Sequence, residues 1–168
     1  MRYFVLIFLP FLSIFLQSTF LSFYSIKGAI PNMLLIFVVF YALLNGKRKN
    51  AAIYGFLCGL LEDLYIGRFI GINALALGIT AFLIASVEGR VFKENLLVGI
   101  ITVIVGTIIN SVILFLLSLI SYKLLNLDTG IFINMWYQSL YNLFLAVPIY
   151  AWYFHSTKNG LLRMYGEI

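Results

Sequence analysis

Glu62 and Asp63 stand side by side at the end of an apolar run that begins at Ala51, and they are the sharpest chemical feature of the sequence. A carboxylate pair in such a place can relay a proton, meet a partner, or shape a turn. A proton relay needs a second titratable group deep in another apolar run, and none of the runs carries one. Arg68 can neutralise one carboxylate, and Asp63 or Asn73 can cap the helix that follows the turn at residues 67–71. A structural turn and a partner contact therefore both stay open. Catalysis has less to work with. Cys58 is the only cysteine and His155 the only histidine, which leaves no disulfide within the chain and no cysteine- or histidine-rich metal cluster. The serine and threonine hydroxyls have no candidate base, and no phosphate-cradling loop is present. The expectation is a non-enzyme without cofactor or metal.

Amides and small residues inside the apolar runs are the next candidates. Gln17 shares a face with Ser13, Asn142 shares one with Gln138, and Asn110 lies midway along its run. In lipid, such groups hydrogen-bond across helices at about 1 kcal/mol each; the alternative is that they line a ligand pocket. Gly55 and Gly59 form one small-xxx-small pair, Ala74 and Gly78 a second, and Ala81 and Ala85 a third. Small residues let helix backbones approach closely, either within the chain or against a partner, and a homodimer stays open.

The elements that must position these residues follow from composition. Of 168 residues, 63% are apolar and 10% charged, with a mean hydropathy of +1.06. A short chain cannot hide that much apolar surface in one water-soluble core. Hydrocarbon removes the difficulty but requires every backbone group to be paired, and long unbroken apolar runs select helices over a barrel. The runs lie at residues 3–21 (read as a retained first span), 33–44, 51–61, 72–87, 96–122 and 135–154. The third is short, and its helix is expected to continue past Leu61, carrying Glu62 and Asp63 towards the outer face.

Charge decides whether that third run crosses. With six spans and a cytoplasmic N-terminus, Arg2, Lys47, Arg48, Lys49, Arg90, Lys93, Lys158 and Arg163 are inside, against Lys27, Arg68 and Lys123 outside. Without the third crossing the bias nearly vanishes, and cytoplasmic loops should carry the excess. The expected fold is all-α, a polytopic six-helix membrane bundle over residues 1–155 with a short cytoplasmic tail at 156–168. Trp136 and Tyr137, and at the other end Tyr150, Trp152 and Tyr153, fit interfacial belts. No basic patch interleaved with stacking aromatics speaks for nucleic acid, and the bilayer is the expected surroundings.

Several of these segments resemble the MreD family of rod shape-determining membrane proteins. They are residues 16–20 (LQSTF), 31–46 (PNMLLIFVVFYALLNG), 55–78 (GFLCGLLEDLYIGRFIGINALALG) and 88–95 (EGRVFKEN). Asp63 matches an acidic position of the family. After the proline the family often has an acidic residue where this chain has Asn32, which can still accept a cap hydrogen bond. The resemblance implies a scaffold of the bacterial cell-wall elongation machinery in the cytoplasmic membrane, associated with an MreC-like single-span protein. It also implies MreB, RodA and a class B transpeptidase as indirect partners. On this reading Glu62, Asp63, Arg68 and Asn73, with Gly55, Gly59, Ala74 and Gly78, are the expected contact surface. The family is also distantly similar to substrate-binding subunits of energy-coupling-factor transporters, which makes a vitamin-type transporter subunit the alternative. Residues 3–21 contain no Gly or Ala for the docking helix such subunits use, which weighs against it.

Overall fold

The structure is a computed structural model that describes residues 2–25, 29–45, 47–66, 70–87, 96–120 and 130–159. Its helices are α1 (Arg2–Thr19), α2 (Met33–Asn45), α3 (Arg48–Ile66), α4 (Ile72–Val87), α5 (Leu96–Ile120) and α6 (Gly130–Asn159), with a short 3-10 turn at Leu21–Tyr24. Each of the six apolar runs thus carries a helix. The third helix does continue past Leu61, through both carboxylates to Ile66.

α2 is the axis of the molecule. From Leu34 to Leu43 no residue is more than 8% exposed, and α2 packs against each of the other five helices. A helix that is apolar all round has no solvent face and belongs in the centre. Its 13 residues extend about 20 Å at ~1.5 Å per residue, short of the ~30 Å hydrocarbon layer. The chain before it, at residues 29–32, is therefore non-helical backbone, with Ala29 and Pro31 buried.

The other helices turn apolar side chains outward as well as inward. Phe4, Ile7, Phe8, Phe11 and Phe15 stand exposed along α1, as do Leu97, Ile101, Val105, Ile108 and Val112 along α5. Outer stripes this apolar mark contact with lipid or another chain. Leu97–Leu117 is the one helix among the described residues long and apolar enough by itself to cross a bilayer; Phe4–Thr19, Met33–Leu44 and Ile72–Val87 are apolar but shorter.

Close helix approach rests on glycine. A Cβ at Gly55 would stand 2.6 Å from the Leu77 carbonyl oxygen, and one at Gly59 would collide with the backbone of Asn73 and Ala74. The small residues of α3 and α4 thus pack these two helices against each other within the chain. Two further glycines do the same on α5: Gly99 faces the Tyr150 ring and Gly106 faces Val39. Pro10 inside α1 has no N–H to give the Leu6 carbonyl, and the Tyr54 hydroxyl on α3 donates to that carbonyl instead, at 3.0 Å.

The packing adds two placements. Tyr150 and Tyr153 face inward: both are 2% exposed and pack on Phe40, with Tyr153 also against Phe37. The Tyr150 ring lies over Gly99 of α5, and Trp152 is the outward ring at that end. Pro31 lies one residue before Asn32, the cap of α2.

Candidate functional site

The two carboxylates diverge. Asp63, 1% exposed, reaches from α3 to the start of α4. One oxygen accepts hydrogen bonds from the backbone N–H of Asn73 (3.1 Å) and from its side-chain amide (2.9 Å). The other accepts from the N–H groups of Gly71 (2.8 Å) and Ala74 (3.1 Å). The first N–H groups of a helix lack internal partners and carry partial positive charge, so a carboxylate satisfies and neutralises them together. Gly71, at a φ of 111°, provides the left-handed backbone that brings the chain round to this carboxylate. Asp63 and Asn73 are thus brought together as a cap delivered from the preceding helix.

Glu62 points instead to the entry of α2. Its Oε1 accepts a long hydrogen bond from the Asn32 amide, 3.4 Å. Its Oε2 is shielded from solvent and has no hydrogen-bond partner among the described residues. Asn32 is the hub of this region. Its Oδ1 accepts from the Leu35 N–H at 2.8 Å, the N-cap bond of α2, and its own N–H donates to Asn142 Oδ1 at 2.8 Å. Asn142, fully buried on α6, also donates to the Thr107 hydroxyl on α5 at 3.0 Å. Gln17 on α1 donates to the Pro31 carbonyl (3.2 Å) and, more weakly, to Asn32 Oδ1 (3.4 Å). Gln138 on α6 donates to the Ile30 carbonyl at 3.2 Å.

These bonds have a common cause. Irregular backbone buried in a membrane protein must find partners inside the protein, and the side chains of Gln17, Gln138 and Asn142 supply them to residues 30–32. Three of the four interhelical amides expected from the sequence therefore meet at one place, as braces of the α2 entry. Asn110 does not join them; its Oδ1 is buried without a partner among the described residues. Thr107 and the hub role of Asn32 escape a reading of the sequence because their partners are remote in the chain. A cavity of about 300 Å³ lies beside the hub, lined by Gln17, Ser18, Ser22, Asn32, Glu62, Tyr65 and Gln138 together with apolar side chains.

A second feature lies on the outer side of the α3–α4 pair. It is a groove of about 430 Å³ whose walls include Ile53, Phe56, Leu57, Leu75, Ile79 and Phe82. Its floor is Ala52 and Gly78, and a Cβ at Gly78 would make only ordinary contacts there, none closer than 3.4 Å. Gly55, Gly59 and Ala74 lie buried beneath, between the two helices. Arg68 lies outside the described residues. No three of His, Cys, Asp and Glu come together as a metal site among the described residues.

The family model of the rod shape-determining protein MreD matches residues 1–158. No curated protein and no solved structure matches the chain, so the likeness to energy-coupling-factor subunits is not shown. Proteins of the matched family are membrane proteins of shape determination and are not known as enzymes. With the match covering 158 of 168 residues, the chain belongs to the MreD family.

Proposed function

We propose that the chain is a non-enzymatic scaffold of the cell-wall elongation machinery that holds an MreC-like single-span protein against α3 and α4. Family membership implies the role in rod shape determination; the partner and its docking site are the finer reading. The observation that carries it is the groove over Gly78. It is apolar and shallow, and its small-residue floor lets a second helix backbone lie close. The expected contact residues divide by task on this reading. Gly78 offers contact, Gly55, Gly59 and Ala74 set the α3–α4 spacing, and Asp63 with Asn73 anchors the end of the pair.

The same proposal places six crossings in the cytoplasmic membrane with both ends inside, on the strength of the charge bias. The transporter alternative has no support from the comparisons. Gly78→Leu fills the groove from a position whose Cβ meets Ala52 and Phe56 of α3 only at ordinary contact distances. Its co-purification with the MreC-like protein should fall at least fivefold while the chain accumulates normally in the membrane. Unchanged co-purification of a folded Gly78→Leu variant contradicts the docking site.

A further inference from the structure

A cavity of about 640 Å³ lies between α1 and α3, two helices that both pack on α2. Leu6, Tyr41 and Cys58 in its wall are buried, whereas Ile7, Phe11, Ile53 and Leu57 stand exposed, so it opens sideways to whatever surrounds the protein. Its polar wall residues are Asn50, Tyr41, Tyr54 and Cys58. The Tyr54 hydroxyl donates to the Leu6 carbonyl at 3.0 Å, the Tyr54 ring lies 4.3 Å from that of Tyr41, and Cys58 is 1% exposed. The rest of the wall is aliphatic side chains, Phe11 and Pro10. Asn50 marks the end where α3 begins, and Lys47, Arg48 and Lys49 beside it are all exposed. No acidic residue precedes Glu62 in the sequence, so α1, α2 and α3 as far as Leu61 bring no carboxylate to this basic run.

The geometry points to a site for one anionic phospholipid, with its headgroup on residues 47–50 and one acyl chain in the cavity. Length supports this first. From Asn50 to Leu61 the wall follows α3 for about 16 Å at ~1.5 Å per residue, close to one leaflet's half of the ~30 Å hydrocarbon layer. The volume is that of a small-ligand pocket, and the apolar lining suits hydrocarbon. Charge then selects the headgroup, because each Lys or Arg at a membrane surface attracts anionic lipid, at roughly fivefold in affinity apiece. Ile53 and Leu57 form a ridge shared with the groove over Gly78. The lipid lies on the other side of that ridge, and its site does not require the partner reading.

The test uses the full chain in phosphatidylcholine vesicles doped with phosphatidylglycerol that carries a photoreactive group on one acyl chain. Crosslinks from this probe should gather on residues 7–11 and 53–61, well above those on the exposed stripe of α5, where any surrounding lipid lands. The same group on phosphatidylcholine should show no such preference, and native mass spectrometry should find one phosphatidylglycerol retained per chain. Replacing Lys47, Arg48 and Lys49 together by Ser should lower retention at least about tenfold. Ile7→Trp, which puts a larger ring at the cavity mouth away from the basic run and from the α3–α4 groove, should lower it too, and covers the case in which the triple variant unfolds. Four results overturn the site: crosslinks spread alike over α1, α3 and α5; retention by folded Ile7→Trp and the folded triple variant equal to wild type; a dimer of the chain that Ile7→Trp breaks, which would seat a second copy there; or retention that emerges only when Glu88 and Glu94 are changed to Gln, which would mean the chain's own acids hold the basic run.

Discussion

A carboxylate that accepts four hydrogen bonds from one helix start, as Asp63 does, holds two helices in register and has little left to offer another molecule. Asp63→Asn keeps the shape but turns an amide N–H₂ towards N–H donors, so at least one pair of bonds becomes a repulsion. We expect a loss of about 1–3 kcal/mol, read as a lower thermal unfolding temperature in detergent. Glu62→Gln should cost less than Asp63→Asn, because among the described residues Glu62 makes one long hydrogen bond and its second oxygen has no partner. An equal loss for the two variants would contradict the division of labour between them. Asp63 was legible in the sequence as a cap candidate, since its targets lie only 8 to 11 residues further along the chain. Asn32 was legible only as the cap of its own helix. Its other contacts lie 15, 30 and 110 residues away, and a single sequence offers no local pattern for such pairings.

Helix packing puts the glycines on a graded scale. Gly59→Ala drives a Cβ into the α4 backbone, which no rotamer change relieves; overpacking of this kind costs about 1–3 kcal/mol or more. Gly71→Ala meets open space but a φ of 111°, so it should cost roughly 1–2 kcal/mol through backbone strain alone. Gly78→Ala should be close to neutral. Unfolding temperatures in the order Gly78→Ala, then Gly71→Ala, then Gly59→Ala from highest to lowest would bear this out, and a neutral Gly59→Ala would refute the α3–α4 geometry. The four-residue spacing of Gly55 and Gly59 made that contact readable in advance. Gly99 and Gly106 are seven apart, also one face of a helix, yet isolated glycines in a long apolar run gave no comparable signal. The inward packing of Tyr150 and Tyr153 was not legible for a related reason. Amphipathic rings near a helix end suit an interface and a glycine-lined cleft equally well, and only the opposing helix distinguishes the two.

At the scale of the molecule, composition called for an apolar surrounding and the long unbroken runs for helices, and the described residues do form six α-helices with apolar side chains on outward as well as inward faces. The central place of α2 was not readable: a 13-residue apolar helix looks the same whether lipid or protein surrounds it. For the crossing pattern we expect single cysteines at Lys49, Arg90 and Lys158, in a Cys58→Ala background, to resist an impermeant reagent added outside intact cells. Labelling of Arg90→Cys from outside would refute six crossings with both ends inside. The partner surface is the central claim, and photo-crosslinking in living membranes tests it most directly. A photoreactive residue at Ile79, in the groove, and another at Phe144, exposed on α6, would be introduced into otherwise wild-type chain. The account predicts a crosslink to the MreC-like protein from position 79 and none from position 144; a crosslink from position 144 alone, in cells where the two proteins still co-purify, would contradict it.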